Sequence, residues 1–125
     1  MNLNLFDAEE FLEKWKNKPL NNPHIKTIFC PSFTGLLSIA HSLKNSSSEI
    51  GAQNVFYESG GPYTGEISCD MIKEAGCQWV IIGHSERRTI LGETDHMVQK
   101  KLHQVIIKDL SPILCIGETI EERNA

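Results

Sequence analysis

The feature that most limits what this chain can fold into is an alternation: short apolar segments rich in β-branched residues recur between stretches with helical spacing. Trp79-Val80-Ile81-Ile82 is continuously apolar, which is the signature of a strand covered on both faces. Pro112-Ile113-Leu114-Cys115-Ile116 has the same character. Strands of this kind separated by amphipathic helices pair in parallel, because each helix returns the chain to the same end of the sheet. Right-handed crossovers then gather the strand C-terminal ends on one edge, and functional loops belong there.

The remaining segments fit this frame. Asp7 is placed to cap a first helix, with Glu10 behind it and Ala8, Phe11, Leu12 and Trp15 on one face, and Asn17-Lys18-Pro19 ends it. A strand over His24 to Cys30 stops at Pro31, a helix spans Gly35 to Lys44, and a weaker strand covers Ile50 to Tyr57. Glu58 to Gly65 is a glycine-rich loop, followed by helical spacing over Ile67 to Ala75 that ends at Gly76. Asp95 to Lys108 carries Val98, Leu102, Val105 and Ile106 on one face. Thr119 with Glu122 forms a capping box for one more helix. The expected fold class is α/β, with four parallel strands, flanking helices, and loops 31–34, 58–65, 83–88 and 117–119 on one edge.

Composition narrows the partners. Twelve basic against sixteen acidic residues leave a net charge of -4, which offers no general attraction to phosphate backbones or anionic lipid, so neither nucleic acid nor a membrane is expected. Met1 to Asp7 lacks the basic and apolar regions of a signal peptide and no apolar run is long enough to span a bilayer, giving a cytoplasmic expectation. Cys30, Cys69, Cys77 and Cys115 form no C-x-x-C pair and read as reduced, mostly buried thiols.

The stretch richest in chemistry is Gly83-His84-Ser85-Glu86-Arg87-Arg88, directly after the strand at Trp79 to Ile82. A buried strand delivers His84 at its C-terminal end, before residues able to open a helical turn. An imidazole facing the positive end of a helix dipole is disfavoured in its protonated form. A neutral imidazole donates a hydrogen bond to a carbonyl without being a strong acid. On spacing alone, a simpler reading holds equally: His84 caps a turn and Glu86 and Arg87 form a surface ion pair.

With Trp79 to Ile82 before it, this stretch resembles the strand and loop carrying the electrophilic histidine of the triosephosphate isomerase family. Other landmarks follow in that family's order: Gly51-Ala52-Gln53-Asn54 resembles its third strand, and Gly61-Pro62-Tyr63-Thr64-Gly65-Glu66-Ile67-Ser68 its dimer loop. Gly92-Glu93-Thr94-Asp95 is similar to the start of its fourth helix, and Cys115-Ile116-Gly117-Glu118 to the end of its fifth strand. The resemblance implies a partial (β/α)8 barrel over 1–125 as a single incomplete domain. It implies that His84 polarises the substrate carbonyl, the family's histidine being itself a standard example of an imidazole kept neutral by a helix N-terminus, with Ser85 and Glu86 supporting it. It also implies a phosphorylated triose substrate, no metal or other cofactor, and a homodimer in which Thr64, on a loop inserted into the neighbouring subunit, steadies that subunit's active site, with Pro62 where alanine is commoner. Cys115 is expected to pack, and Arg87 with Glu93 to form a structural ion pair.

Such a barrel takes eight strand and helix units in roughly 250 residues. By the resemblance the first strand and everything past the fifth lie outside this sequence: Met1-Asn2 matches the end of an Asn-Trp-Lys-Met-Asn segment, so the substrate-binding Asn and Lys, like the glutamate base, are absent. The expectation is an isomerase fragment inactive on its own, against an alternative of a non-enzymatic α/β half-barrel interaction module. Its open strand edges predict association or poor solubility.

Overall fold

The structure is a computed structural model that describes residues 2–17, 22–118 and 123–125. Helix α1 spans Leu5–Lys16, strand β1 Ile28–Phe29, helix α2 Leu36–Leu43 after a 3-10 turn at Phe33–Gly35, and strand β2 Glu49–Ala52. Helix α3 spans Cys69–Glu74, β3 Trp79–Ile82, α4 Ser85–Thr89, α5 Asp95–Ile107 and β4 Ser111–Leu114. The strands form one parallel sheet in the order β1-β2-β3-β4, each paired with its neighbour in sequence. This is the α/β architecture of a partial barrel, and the sheet does not close on itself.

Side chains alternate along β3: Val80 and Ile82 are fully buried, whereas Trp79 and Ile81 are partly exposed. Successive strand residues point to opposite faces. The helices therefore cover one face, where Val80 and Ile82 pack with Leu12, Ile39, Ile72 and Val105 in a single core. Burial of each such side chain contributes roughly 1.5–3 kcal/mol. The expectation that β3 would be covered on both faces is corrected: among the described residues nothing covers the second face, where Trp79 and Ile81 are partly exposed.

Local chemistry moves several boundaries. Asn4, not Asp7, caps α1, accepting a hydrogen bond from the Asp7 N–H at 3.0 Å. An asparagine satisfies an orphan amide as well as an aspartate does, and Asp7 then contributes its charge to the first turn. Phe11 is exposed, so the buried stripe of α1 is narrower than its spacing indicated. The His24 to Cys30 strand contracts to two residues because an edge strand has one neighbour to pair with. The second strand ends at Ala52 rather than Tyr57. Phe56 instead donates to the Ile67 carbonyl at 2.8 Å, closing the root of the following loop.

On α3, Met71 faces solvent while Cys69 and Ile72 face the core. On α5, Ile106 is exposed and Lys101 takes an inward position. Strand β4 is an edge strand with Leu114 exposed, and Ile116 beyond it is 86% exposed, so this segment is not buried as its apolarity suggested. Cys69 and Cys77 are buried, Cys30 and Cys115 half-buried, and all four are free thiols. The helix expected from Thr119 and the helix stop at Lys18-Pro19 lie outside the described residues.

Candidate functional site

The C-terminal ends of β2 and β3 adjoin one another, so the loops that leave them share an edge of the sheet. Ile82 anchors β3 in the core and Gly83, at φ +72°, turns the chain so that His84 stands at the end of the strand. The backbone then enters α4, whose Arg87 and Arg88 amides donate to the His84 carbonyl at 2.9 and 3.1 Å.

The His84 side chain is itself the cap of α4: its Nδ1 accepts a hydrogen bond from the Glu86 amide at 3.3 Å. The Glu86 carboxylate lies 3.7 Å from the same nitrogen, too far to bond, and its side chain is 76% exposed. The amide therefore decides the tautomer. An Nδ1 that accepts leaves the proton on Nε2, so a neutral His84 presents an N–H donor at its far end. Ser85 and Glu86 flank this donor and are both exposed, and the Ser85 carbonyl accepts from Thr89 Oγ1 at 2.9 Å.

Beneath the turn lies a buried cluster of charge. Glu93 Oε2 accepts from Arg87 Nε at 2.7 Å and from Lys101 Nζ at 2.5 Å, and Lys101 Nζ also donates to Asn54 Oδ1 at 2.8 Å. The side chains of Lys101 and Glu93 are 2% and 1% exposed. Burial pushes the Glu93 carboxyl up, but hydrogen bonds and charge from Lys101 and Arg87 outweigh it and hold the group below its ordinary value. Burial pulls Lys101 below its ordinary value, opposed by Glu93. Glu93 Oε1 is buried without a protein partner among the described residues. The expected Arg87–Glu93 pair is thus present and is the outer part of a larger assembly. Arg87 and Glu86 do not form the surface pair of the simpler reading.

Thr64 sits exposed at the tip of the loop after β2. The loop is ordered by its own aromatic residues: Phe56 stacks on Tyr57 with centroids 4.3 Å apart and meets Tyr63 at 4.8 Å, while Lys100 of α5 lies 4.9 Å above the Tyr57 ring. Among the described residues no group of three or more His, Cys, Asp or Glu side chains is arranged to hold a metal ion. A cavity of about 1010 Å³ lies among Trp15, His24, Lys26 and Ser46 to Ser48. These residues precede β1 and β2, at the opposite end of the sheet from His84, so this space and the chemistry do not coincide.

Comparison with known proteins shows the family of the chain. A family model for triosephosphate isomerase matches residues 1–125. The chain belongs to the triosephosphate isomerase family. Proteins of that name from Endomicrobium trichonymphae, Lawsonia intracellularis and Aquifex aeolicus are 42%, 44% and 42% identical to it over 98%, 100% and 100% of its length. The chain spans about half the length of these curated relatives, 49%, 50% and 51% respectively.

Three residues around the His84 turn of this triosephosphate isomerase family member are not evident from the sequence. Lys101 is hidden because its neighbours Val98, Leu102 and Val105 account for the apolar face by themselves; its position three residues after Val98 is the available signal. Asn54 lies in a segment whose composition reads as a strand. Arg88 reads as part of a charged run, yet its Nε donates to the Gly83 carbonyl at 2.7 Å.

Proposed function

We propose that this chain, 1–125, is one incomplete barrel domain carrying the carbonyl-polarising part of a triosephosphate isomerase. In the whole protein it would serve the interconversion of dihydroxyacetone phosphate and D-glyceraldehyde 3-phosphate, a step of glycolysis and gluconeogenesis in the cytoplasm. The observation that carries the reading is the hydrogen bond from the Glu86 amide to His84 Nδ1, which directs a neutral Nε2–H outward from the end of β3. Such a donor stabilises negative charge developing on a substrate carbonyl oxygen as the neighbouring carbon loses its proton, giving an enediolate.

His84 is the electrophile in this proposal, Ser85 and Glu86 shape its turn, and Thr64 is the tip of a loop that docks on a second subunit in a homodimer. The aromatic packing of Phe56, Tyr57 and Tyr63 supports the last assignment, because a loop ordered before it meets a partner loses less entropy on docking. The proton must be carried between two carbons by a base, and a glutamate from the second half of the barrel would supply it. The chain by itself is therefore inactive.

The purified chain, assayed with dihydroxyacetone phosphate, is expected to give no turnover above the uncatalysed rate. Mixing it with polypeptides covering the remaining segments of a relative, its first strand included, is expected to generate turnover that His84→Gln abolishes. Robust isomerisation by the chain alone would overturn the claim that a base is missing. An active mixture indifferent to His84→Gln would overturn the role of the histidine. The open edge at β4, with Leu114 and Ile116 exposed, favours association with another half as the physical route to either result.

A further inference from the structure

We propose that Arg88 is a positioning residue for His84, acting through the carbonyl of Gly83. The histidine turn is restrained in three ways. The His84 carbonyl is held by the amides of Arg87 and Arg88, its Nδ1 by the amide of Glu86, and the peptide entering it by Arg88, whose Nε donates to the Gly83 carbonyl at 2.7 Å. The first two restraints follow from α4 being a helix. The third does not, because a side chain five residues on must fold back over the turn.

The restraint falls where the backbone has the most freedom. Gly83 adopts φ +72°, a region that a residue with a side chain rarely enters, and glycine has no Cβ to confine it there. A Cβ at this position would lie 2.9 Å from Arg88 Nη2 and 3.2 Å from Val98 Cγ2. The arginine thus occupies the space that the missing side chain leaves open. A guanidinium bond to a carbonyl is charge-assisted and directional, so it fixes the plane of the Gly83–His84 peptide as well as its place. Rotation of that plane would swing the imidazole about the end of β3, and a displacement of about 1 Å in a reacting group costs on the order of a hundredfold in rate.

Asp95 identifies what holds Arg88. Its Oδ1 pairs with Arg88 Nη1 at 2.5 Å, but its side chain is 93% exposed, against 31% for Arg88. An ion pair so wet contributes little, so the bond to Gly83 is the part with consequence for His84.

The role of Arg88 rests on His84 as the electrophile, and its test reads the imidazole rather than turnover. In the 15N-labelled chain, long-range proton–nitrogen spectra separate Nδ1 from Nε2 in each histidine, with His24, His41, His96 and His103 as internal controls. Wild-type His84 is expected to hold one tautomer with the proton on Nε2. Arg88→Met is expected to move both His84 nitrogens toward the averaged positions of an exposed histidine and leave the controls in place. Arg88→Lys should shift them part of the way, and Asp95→Asn should not shift them.

Unchanged His84 signals in Arg88→Met overturn the proposal, as does an Asp95→Asn shift as large as that of Arg88→Met. If Arg88→Met does not fold, Arg88→Lys decides: wild-type signals there overturn the proposal, and a His84 shift confined to that residue supports it. An averaged tautomer in the wild-type chain would instead overturn the reading of the site on which the proposal depends.

Discussion

Two loops leave neighbouring strands on the same edge of the sheet and are ordered by opposite means. The turn after β3 is anchored from below: Arg87 reaches Glu93 and Glu93 reaches Lys101, while the half-buried His84 imidazole and the exposed Ser85 and Glu86 meet solvent. The loop after β2 shares that anchor at its root through Asn54, but its outer part, from Ser59 to Glu66, is exposed and takes its order from Phe56, Tyr57 and Tyr63. A buried charge cluster tolerates little displacement, because any separation leaves charge in a low dielectric. An aromatic stack at the surface tolerates more. The first arrangement fixes a turn closely, and the second keeps a surface loop in shape with more freedom to move.

The anchor shared by the two loops is where a single substitution should disturb most. Lys101→Met removes the ammonium and leaves the Glu93 carboxylate with Arg87 alone and Asn54 without its donor. Removing one partner of a buried pair costs about 3–5 kcal/mol. Urea unfolding should show this loss, and amide exchange should accelerate both at Glu86 in the histidine turn and at Phe56 in the loop root. Acceleration in one region only would show that Lys101 does not join them.

Lys101 also marks where the sequence ceases to be informative. The helix from Asp95 is legible from its repeating period, the strand at Trp79 to Ile82 from its continuous apolarity, the parallel arrangement from the alternation of the two kinds of segment, and the His84 turn as a motif. Strand ends at the sheet margins are not: Pro112-Ile113-Leu114-Cys115-Ile116 is apolar enough for a covered strand, and nothing local states that β4 has one neighbour. The buried lysine is illegible for a related reason. A single charge on an apolar helix face is stabilised by Glu93, eight residues earlier, and by Asn54, forty-seven residues earlier, and periodicity within α5 carries neither fact.

Acid distinguishes the charge cluster from the rest of the sheet. The ordinary carboxyl value for Glu93 and Glu49 is 4.5, and both are held below it in the folded chain. For Glu93 burial acts upward and is outweighed by Lys101 and Arg87; for Glu49 the hydrogen bond from Trp79 Nε1 comes first, then that from Lys26. As pH falls the unfolded chain takes up these protons first, so the stabilisation is complete above the ordinary value and is lost as pH falls through the depressed ones. Unfolding free energy should therefore decline steeply below about pH 4.5. The decline should be shallower in Glu93→Gln, which lacks the buried carboxylate. Glu49→Gln should alter the Trp79 fluorescence but leave most of the acid limb, since Glu49 is at the opposite end of the sheet and partly exposed. Equal flattening by the two substitutions would mean that the cluster under His84 has no special share in acid stability.

The smallest effect is expected at the loop that orders itself. Tyr63→Ala removes a ring 4.8 Å from Phe56 while leaving the Phe56 to Ile67 backbone bond and the Asn54 to Lys101 bond in place. An aromatic pair is worth about 0.5–1.5 kcal/mol beyond its burial, and Tyr63 is 40% exposed, so global stability should fall by about 1 kcal/mol or less. The local consequence is larger than the global one: Gly61, at φ +129°, faces the Tyr63 ring and would gain freedom once the ring is gone. Amide exchange should rise across Gly60 to Gly65 and remain at the wild-type level at Glu86, because the histidine turn is held by buried charge rather than by the stack. A Tyr63→Ala chain in which Glu86 exchange rises along with the loop would show that the two regions share more than the Lys101 anchor, and the contrast between a fixed turn and an adaptable loop would fail.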